Sequence, residues 1–192
     1  MITASDIPAS LSRLDTDAML AVGRQAGVSP PTPEEIPAAR SLAAELMDHE
    51  VVSEATLKAV LAVQPASLMI YREGDEVTAV YGQLLLNRLA VDAIFADTFD
   101  ALEVDVAHLA LHGETPALGY AWGLAARNKK AAAAILMNGR LIRGLFPDLT
   151  VFTRTVTPIG RHIAVNRHGY KPLRGPEDDL MYKLPDLPAV AA

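Results

Sequence analysis

The sequence predicts an α/β (α+β) fold: one mixed central sheet with a parallel strand pair at its middle and helices on both faces. Three observations carry this reading. Apolar residues change from helical to alternating spacing at 67–86, around the turn residues Glu73-Gly74-Asp75-Glu76, which marks a hairpin. A strand–helix–strand–helix order then runs through 119–169, and two strands joined by a helix lie parallel. The 192 residues are 51% hydrophobic and 21% charged, enough apolar material for one core and too few residues for two.

Residues 1–31 have mixed polarity and close on Gly27-Val28-Ser29-Pro30-Pro31, so they read as a partly flexible lead-in. A single domain is expected over 32–184, followed by a tail at 185–192. Thr32-Pro33-Glu34-Glu35 has the pattern of a capping box. Pro37 moves the helix start towards itself, and that helix is expected to run to about His49. A second helix follows Ser53, carries Leu57, Val60 and Leu61, and stops before Pro65. After the hairpin, Asn87 is placed to cap a helix bearing Val91, Ile94, Phe95 and Phe99. Residues 101–116 are irregular, and 119–126 is an apolar run of strand length. Ala131, Ala134, Ile135, Ile142 and Leu145 share one face of a helix closed by Pro147. A Val/Thr/Phe-rich strand spans 149–155, and Thr157-Pro158 opens a helix that Gly169 ends. Two short closing strands follow.

Net charge is −6, which excludes the broad basic footprint of a nucleic-acid binder. The longest apolar run, 131–137, is too short to cross a bilayer, so no membrane association is expected. No basic–apolar leader opens the chain, and the absence of cysteine removes disulfides and thiolate chemistry. A cytoplasmic location is the expectation. Arg127, Lys129, Lys130, Arg140 and Arg143 nevertheless crowd one stretch without an acid among them. That local charge suits a small polyanion, and it equally fits a solvated helix face.

The chemistry concentrates at 119–132. A strand feeding a tight turn at a helix N-terminus presents unpaired N–H groups and the positive end of the helix dipole, which together hold phosphate. Arg127 and Lys130 add charge, and the small side chains of Ala131 and Ala132 permit close approach to the main chain. Gly123 inside a strand marks a bulge or a close ligand. Arg127-Asn128-Lys129-Lys130-Ala131-Ala132, the strand after it, and a helix ending in His168-Gly169-Tyr170 together resemble the GNAT acyl-CoA N-acyltransferase superfamily. In that family, Arg/Gln-x-x-Gly-x-Gly/Ala follows a strand and holds the coenzyme A pyrophosphate. The next strand then splays away, and a later helix ends in a Gly-Phe pair. The likeness covers about 53–184 in element order, and its specific part is 119–170. This chain departs from the pattern at Lys130, which takes a glycine position, and at Val165, where many members carry a tyrosine acid.

The resemblance implies a cofactor site over Gly123, Leu124, Ala126, Arg127, Asn128, Lys129, Lys130, Ala131 and Ala132, with acetyl-CoA or another acyl-CoA as co-substrate. It implies acyl transfer, by expectation acetyl, to a small-molecule or peptide amine. An alternative is a non-catalytic GNAT-fold protein that binds CoA or a nucleotide; a third is use of an acyl carrier protein as donor. Candidate acid/base residues are scattered: His112 and Glu114 in the loop before the strand, with Asp105 and His108 nearby, and His162 and Tyr170 around the last helix. His108-x-x-x-His112 has zinc-ligand spacing only in a helix; the flanking pattern predicts none and no third ligand stands out, so no metal is expected. Tyr120 and Trp122 alternate along the strand and share a face, towards either the core or the acceptor. The acceptor and the oligomeric state are not specified by the sequence; a homodimer is compatible with it.

Overall fold

The structure is a computed structural model and describes residues 2–7, 10–47 and 49–185. Among the described residues six strands form one sheet in the order β1-β2-β3-β4-β6-β5. These are β1 (Leu68–Glu73), β2 (Glu76–Leu86), β3 (Leu118–Ala126), β4 (Val151–Arg154), β5 (Lys171–Pro172) and β6 (Leu180–Lys183). All neighbours are antiparallel except β3 and β4. The helices are α1 (Thr16–Gln25), α2 (Ile36–Met47), α3 (Glu54–Val63), α4 (Arg88–Phe95), α5 (Lys129–Leu145) and α6 (Pro158–His168). The predicted mixed sheet with a central parallel pair is therefore present.

Alternation along the strands assigns the two faces. Met69, Ala79 and Leu85 pack with Ala131, Ile135 and Ile142 of α5 and Met19 of α1. Leu68, Ile70 and Val80 pack beneath α2 and α3, and Leu84, Leu86 and Phe152 beneath α4. Ala164 of α6 meets Val151 and Met181 at the sheet's other end.

The helix boundaries follow the predicted caps. Ser53, Asn87 and Thr157 each accept a first-turn N–H, and Gly169 ends α6 at φ +71, in the left-handed region where glycine carries no steric cost. Pro37 falls in the first turn of α2, where its missing N–H is not needed. One expectation differs: the α4 helix stops at Phe95, and Asp97 at φ +61 turns the chain so that Phe99 lies beyond it. Within residues 1–31, α1 is capped by Asp15, with Met19 buried against α5. Among the expected tail residues, 186–192 lie outside those described.

Two polar struts join helices to the sheet. The first is Gln64, buried at the end of α3, where β1 no longer flanks β2. Its Nε2 donates to the Leu85 and Ala110 carbonyls, at 2.6 and 2.7 Å, and its Oε1 accepts from Leu85 N and Ser67 Oγ. The second is Arg72 of β1, which grips Glu35 through two bonds of 2.6 Å and also donates to Ser29 Oγ. Glu35 accepts the Thr32 N–H as well, completing the N-terminus of α2. The Arg72 hydrogen bonds, helped by Thr32, hold the Glu35 carboxyl down at about 2 against an ordinary 4.5.

Gln64→Leu keeps the volume but orphans Leu85 N–H and the Ala110 carbonyl. It is expected to cost about 2–4 kcal/mol in urea unfolding, and a loss below about 1 kcal/mol removes its role as a strut. Because the folded pKa of Glu35 lies below its unfolded value, its contribution is present above about pH 4.5 and is lost as pH falls towards 2. Glu35→Gln is expected to lower stability at neutral pH by about 1–3 kcal/mol and to flatten the acid limb of stability against pH.

Candidate functional site

The parallel pair β3–β4 is short. Gly119, Tyr120 and Ala121 face Val151, Phe152 and Thr153, and there the pairing ends. Beyond it β3 continues to Ala126 against β2 alone, while Arg154 and Thr155 turn to β6 through Leu180 and the Asp179 carbonyl. Gly123–Ala126 thus have no strand on that side among the described residues. A bulge sits at the point of parting: Gly82 pairs with Gly123 and Gln83 with Ala121, so Trp122 is the extra residue. Gly82 lets the strands crowd here, since a Cβ there would meet Trp122 Cβ at 3.3 Å and Gly123 N at 3.4 Å. The Trp122 indole N–H is held by the Ala101 carbonyl at 2.6 Å.

A cleft of about 840 Å³ opens on this bulge. Tyr120, Trp122 and Gly123 line it from β3, Arg40 and Met47 from α2, and Arg154 from the end of β4. The loop after α4 closes another side with Phe99 and Asp100. Burial pushes the Tyr120 hydroxyl up to about 12, with Arg154 opposing, so it is a neutral phenol throughout the working range.

At the far end of β3 the chain enters α5. Arg127 N bonds Thr78 O, Ala132 N bonds Asn128 O, and the Asn128 side chain caps Ala131 N at 2.9 Å. The Lys129 and Lys130 amides have no acceptor among the described residues, as expected of a helix start. The cations around them are engaged. Arg127 makes two 2.8 Å bonds to Glu45 of α2 and lies 3.6 Å from Glu76. Lys130 lies 3.4 Å from Glu73 and 5.9 Å from the Tyr71 ring centroid, and Asn128 Nδ2 also donates to Glu73. These partners raise the pKa of both cations; the Glu45 bond leads for Arg127 and the Tyr71 hydroxyl for Lys130. Arg127 and Lys130 are thus paired with acids from α2 and from the ends of β1 and β2 beside their turn, whereas no such pair is formed by Lys129, Arg140 or Arg143 among the described residues.

The structure brings 123–132 together and leaves the acid/base candidates apart. His112 Nδ1 approaches Thr16 Oγ1 at 3.3 Å, and Glu114 accepts the Leu111 N–H. Both precede the start of β3, and Gly123 lies five strand residues further on, about 16 Å. Tyr170 is buried on the α5–α6 face beside Ala164 and Met181, and burial chiefly raises its pKa. None of the three lines the cleft. The ionisable groups that do include Glu50, Asp97, Asp100, Asp179 and His49, which come from three segments of the chain and share no motif. Among the described residues no His, Asp or Glu trio is grouped to hold a metal, and no helix is long and apolar enough to cross a membrane.

No family model matches the sequence, and no curated protein matches it. Solved structures are similar in fold. One is a histone acetyltransferase HPA2 and related acetyltransferase from Corynebacterium glutamicum, with a TM-score of 0.50 and 19% identity over 85% of this chain and 98% of that one. Another is Naa20 from Chaetomium thermophilum in complex with a bisubstrate analogue, with a TM-score of 0.52 and 11% identity over 82% of this chain and 86% of that one. The order of elements, the central parallel pair and these likenesses agree: the chain has the GNAT acetyltransferase fold.

Proposed function

We propose that the protein is an acyl-CoA-dependent N-acyltransferase, with acetyl-CoA as the simplest donor. The observation that carries the reading is the parting of β3 from β4 at a bulge, which leaves strand backbone exposed between the cleft and the N-terminus of α5. In this reading the pantetheine arm pairs with Gly123, Leu124 and Ala126 in place of a strand. The pyrophosphate meets the Lys129 and Lys130 amides, with Arg127 and Asn128 beside them and Ala131 and Ala132 leaving the approach open. An N–H at Gly123 or Leu124 stabilises the oxyanion as the amine attacks the thioester carbonyl, the interaction that contributes most in such sites.

No tyrosine stands at Val165, and the departing thiolate does not require one. Thiols titrate near 8.5, so the thiolate leaves at neutral pH with a proton from water. A second reading, a GNAT-fold protein that binds CoA or a nucleotide without transfer, is favoured by one observation: Arg127 and Lys130 are already paired with Glu45, Glu73 and Glu76. Amine-dependent release of CoA from acetyl-CoA separates the two readings.

Acetyl-CoA is expected to raise the melting temperature. At 100 times its dissociation constant, the linkage amounts to about 2.7 kcal/mol. An unchanged melting temperature at millimolar acetyl-CoA and CoA sinks both readings. The charge competition has its own signature in CoA titrations. Arg127→Ala is expected to weaken CoA by at least about tenfold, and Glu45→Gln, which frees Arg127, to tighten it by about two- to fivefold. If neither variant shifts the affinity, the phosphate lies elsewhere.

A further inference from the structure

The cleft is larger than the acyl end of a thioester, and its volume of about 840 Å³ leaves room for a second molecule. Besides aliphatic side chains such as Met47, Val52 and Leu57, its lining carries two further kinds of surface. Phe99, Tyr120 and Trp122 contribute aromatic rings. Phe99 and Tyr120 are 5.3 Å apart and tilted, and Trp122 is anchored through its indole N–H, so this wall is ordered in advance. Four carboxylates, Glu50, Asp97, Asp100 and Asp179, line the same space against two guanidiniums, Arg40 and Arg154.

The balance of partners favours a cation. Arg154 lies 3.4 Å from Asp179 and Arg174 2.8 Å from Asp97, so those two carboxylates are paired. Arg40 donates Nε only to the neutral Val52 carbonyl and keeps its charge, leaving Glu50 and Asp100 in excess over it. The carboxylates keep spare capacity, since each ionised carboxylate accepts about four hydrogen bonds. Glu50 is exposed and makes no ion pair or hydrogen bond among the described residues. Asp100 uses one oxygen on the Leu102 and Glu103 amides, and Asp97 uses one on Arg174. Ring faces carry negative electrostatic potential and add to the attraction for an ammonium group. An acceptor bearing a carboxylate meets this excess of negative charge as repulsion.

We propose that the acceptor is an amine with a second positive charge, of the α,ω-diamine type, held between the aromatic wall and the carboxylates. Its chemical fate rests on the acyl-transfer reading above; its recognition does not. In the transfer, one nitrogen, as the free amine, forms a C–N bond to the acyl carbon. The thioester C–S bond breaks, its electron pair leaves on the CoA sulfur, and the proton lost from nitrogen passes to solvent. The second ammonium stays protonated and balances the cleft charge.

Three probes separate the possibilities. 1,4-Diaminobutane and n-pentylamine have the same size and differ by one charge, and 4-aminobutanoate replaces the distal cation by an anion. Calorimetric titration of the whole chain with no acyl donor reads recognition alone. The diamine is expected to bind at least about tenfold more tightly than n-pentylamine. That ratio is expected to shrink as ionic strength rises from about 0.02 to about 0.5 M, and to fall in Glu50→Gln and further in Glu50→Gln with Asp100→Asn. Equal affinity for the two amines, or tightest binding of 4-aminobutanoate, overturns the proposal. Thiol release from acetyl-CoA is measured separately with each probe. Selective diamine binding without any thiol release sinks the transferase reading and leaves the recognition standing. Equal affinity for the two amines together with thiol release that is as efficient with n-pentylamine as with the diamine does the reverse.

Discussion

The site depends on how little of β3 is paired with β4. A parallel pair needs a crossover, here α5, and the crossover delivers β4 beside β3 for only three positions before the two strands part. Backbone N–H and C=O groups must find partners, so a strand left bare on one side invites an extended ligand to complete it. The bulge at Trp122 lies at the same place and re-aims the strand, so that Tyr120, Trp122 and Gly123 all line the cleft. The aromatic wall, the exposed backbone and the helix start therefore follow from one local departure from regular pairing.

The remainder of the fold holds that departure open. The α2 helix is fastened at its start by Glu35 to Arg72 and near its end by Glu45 to Arg127, and it walls the cleft with Arg40 between these points and with Met47 just past the second. Gln64 supplies four hydrogen bonds ahead of the first residue of β1 and ties β2 at Leu85 to the end of α3. The opposite face is closed by α1 on α5. Gly23 allows the Met69 side chain to approach, since a Cβ there would lie 2.1 Å from Met69 Cε. The same face contains Asn138, fully buried with both side-chain polar atoms lacking a partner among the described residues.

The sign of the charge around α5 shows why a basic run is a weak guide to a site. Arg127 and Lys130 stand without acids near them in the chain, yet Glu45, Glu73 and Glu76 reach them from three other elements. Exposed ion pairs of this kind stabilise little by themselves. They do set the field that any phosphate must displace, and they connect the helix start to α2 and so to the cleft wall.

By itself the sequence determined what depends on near neighbours. Ser53, Asn87 and Thr157 cap helices because their oxygens bond amides two or three residues on. Gly169 ends α6 by its own φ, and the strand–helix–strand order around α5 dictates a parallel pair. The irregularity at Gly123 was also legible, because glycine in a strand signals a bulge or close approach. Tertiary structure alone decided the rest. The α1 helix buries only Met19 and Gly23 of its ten residues, too narrow an apolar stripe to announce itself, and it exists by packing on α5. His112, Glu114 and Tyr170 are ordinary acid/base types whose distance from Gly123 is a property of the sheet. The carboxylates of the cleft come from Glu50, Asp97, Asp100 and Asp179, separated by up to 129 positions in the chain. A pattern read along a chain registers contacts within a few residues, whereas a cleft is assembled by strand pairing and helix packing between residues distant in sequence.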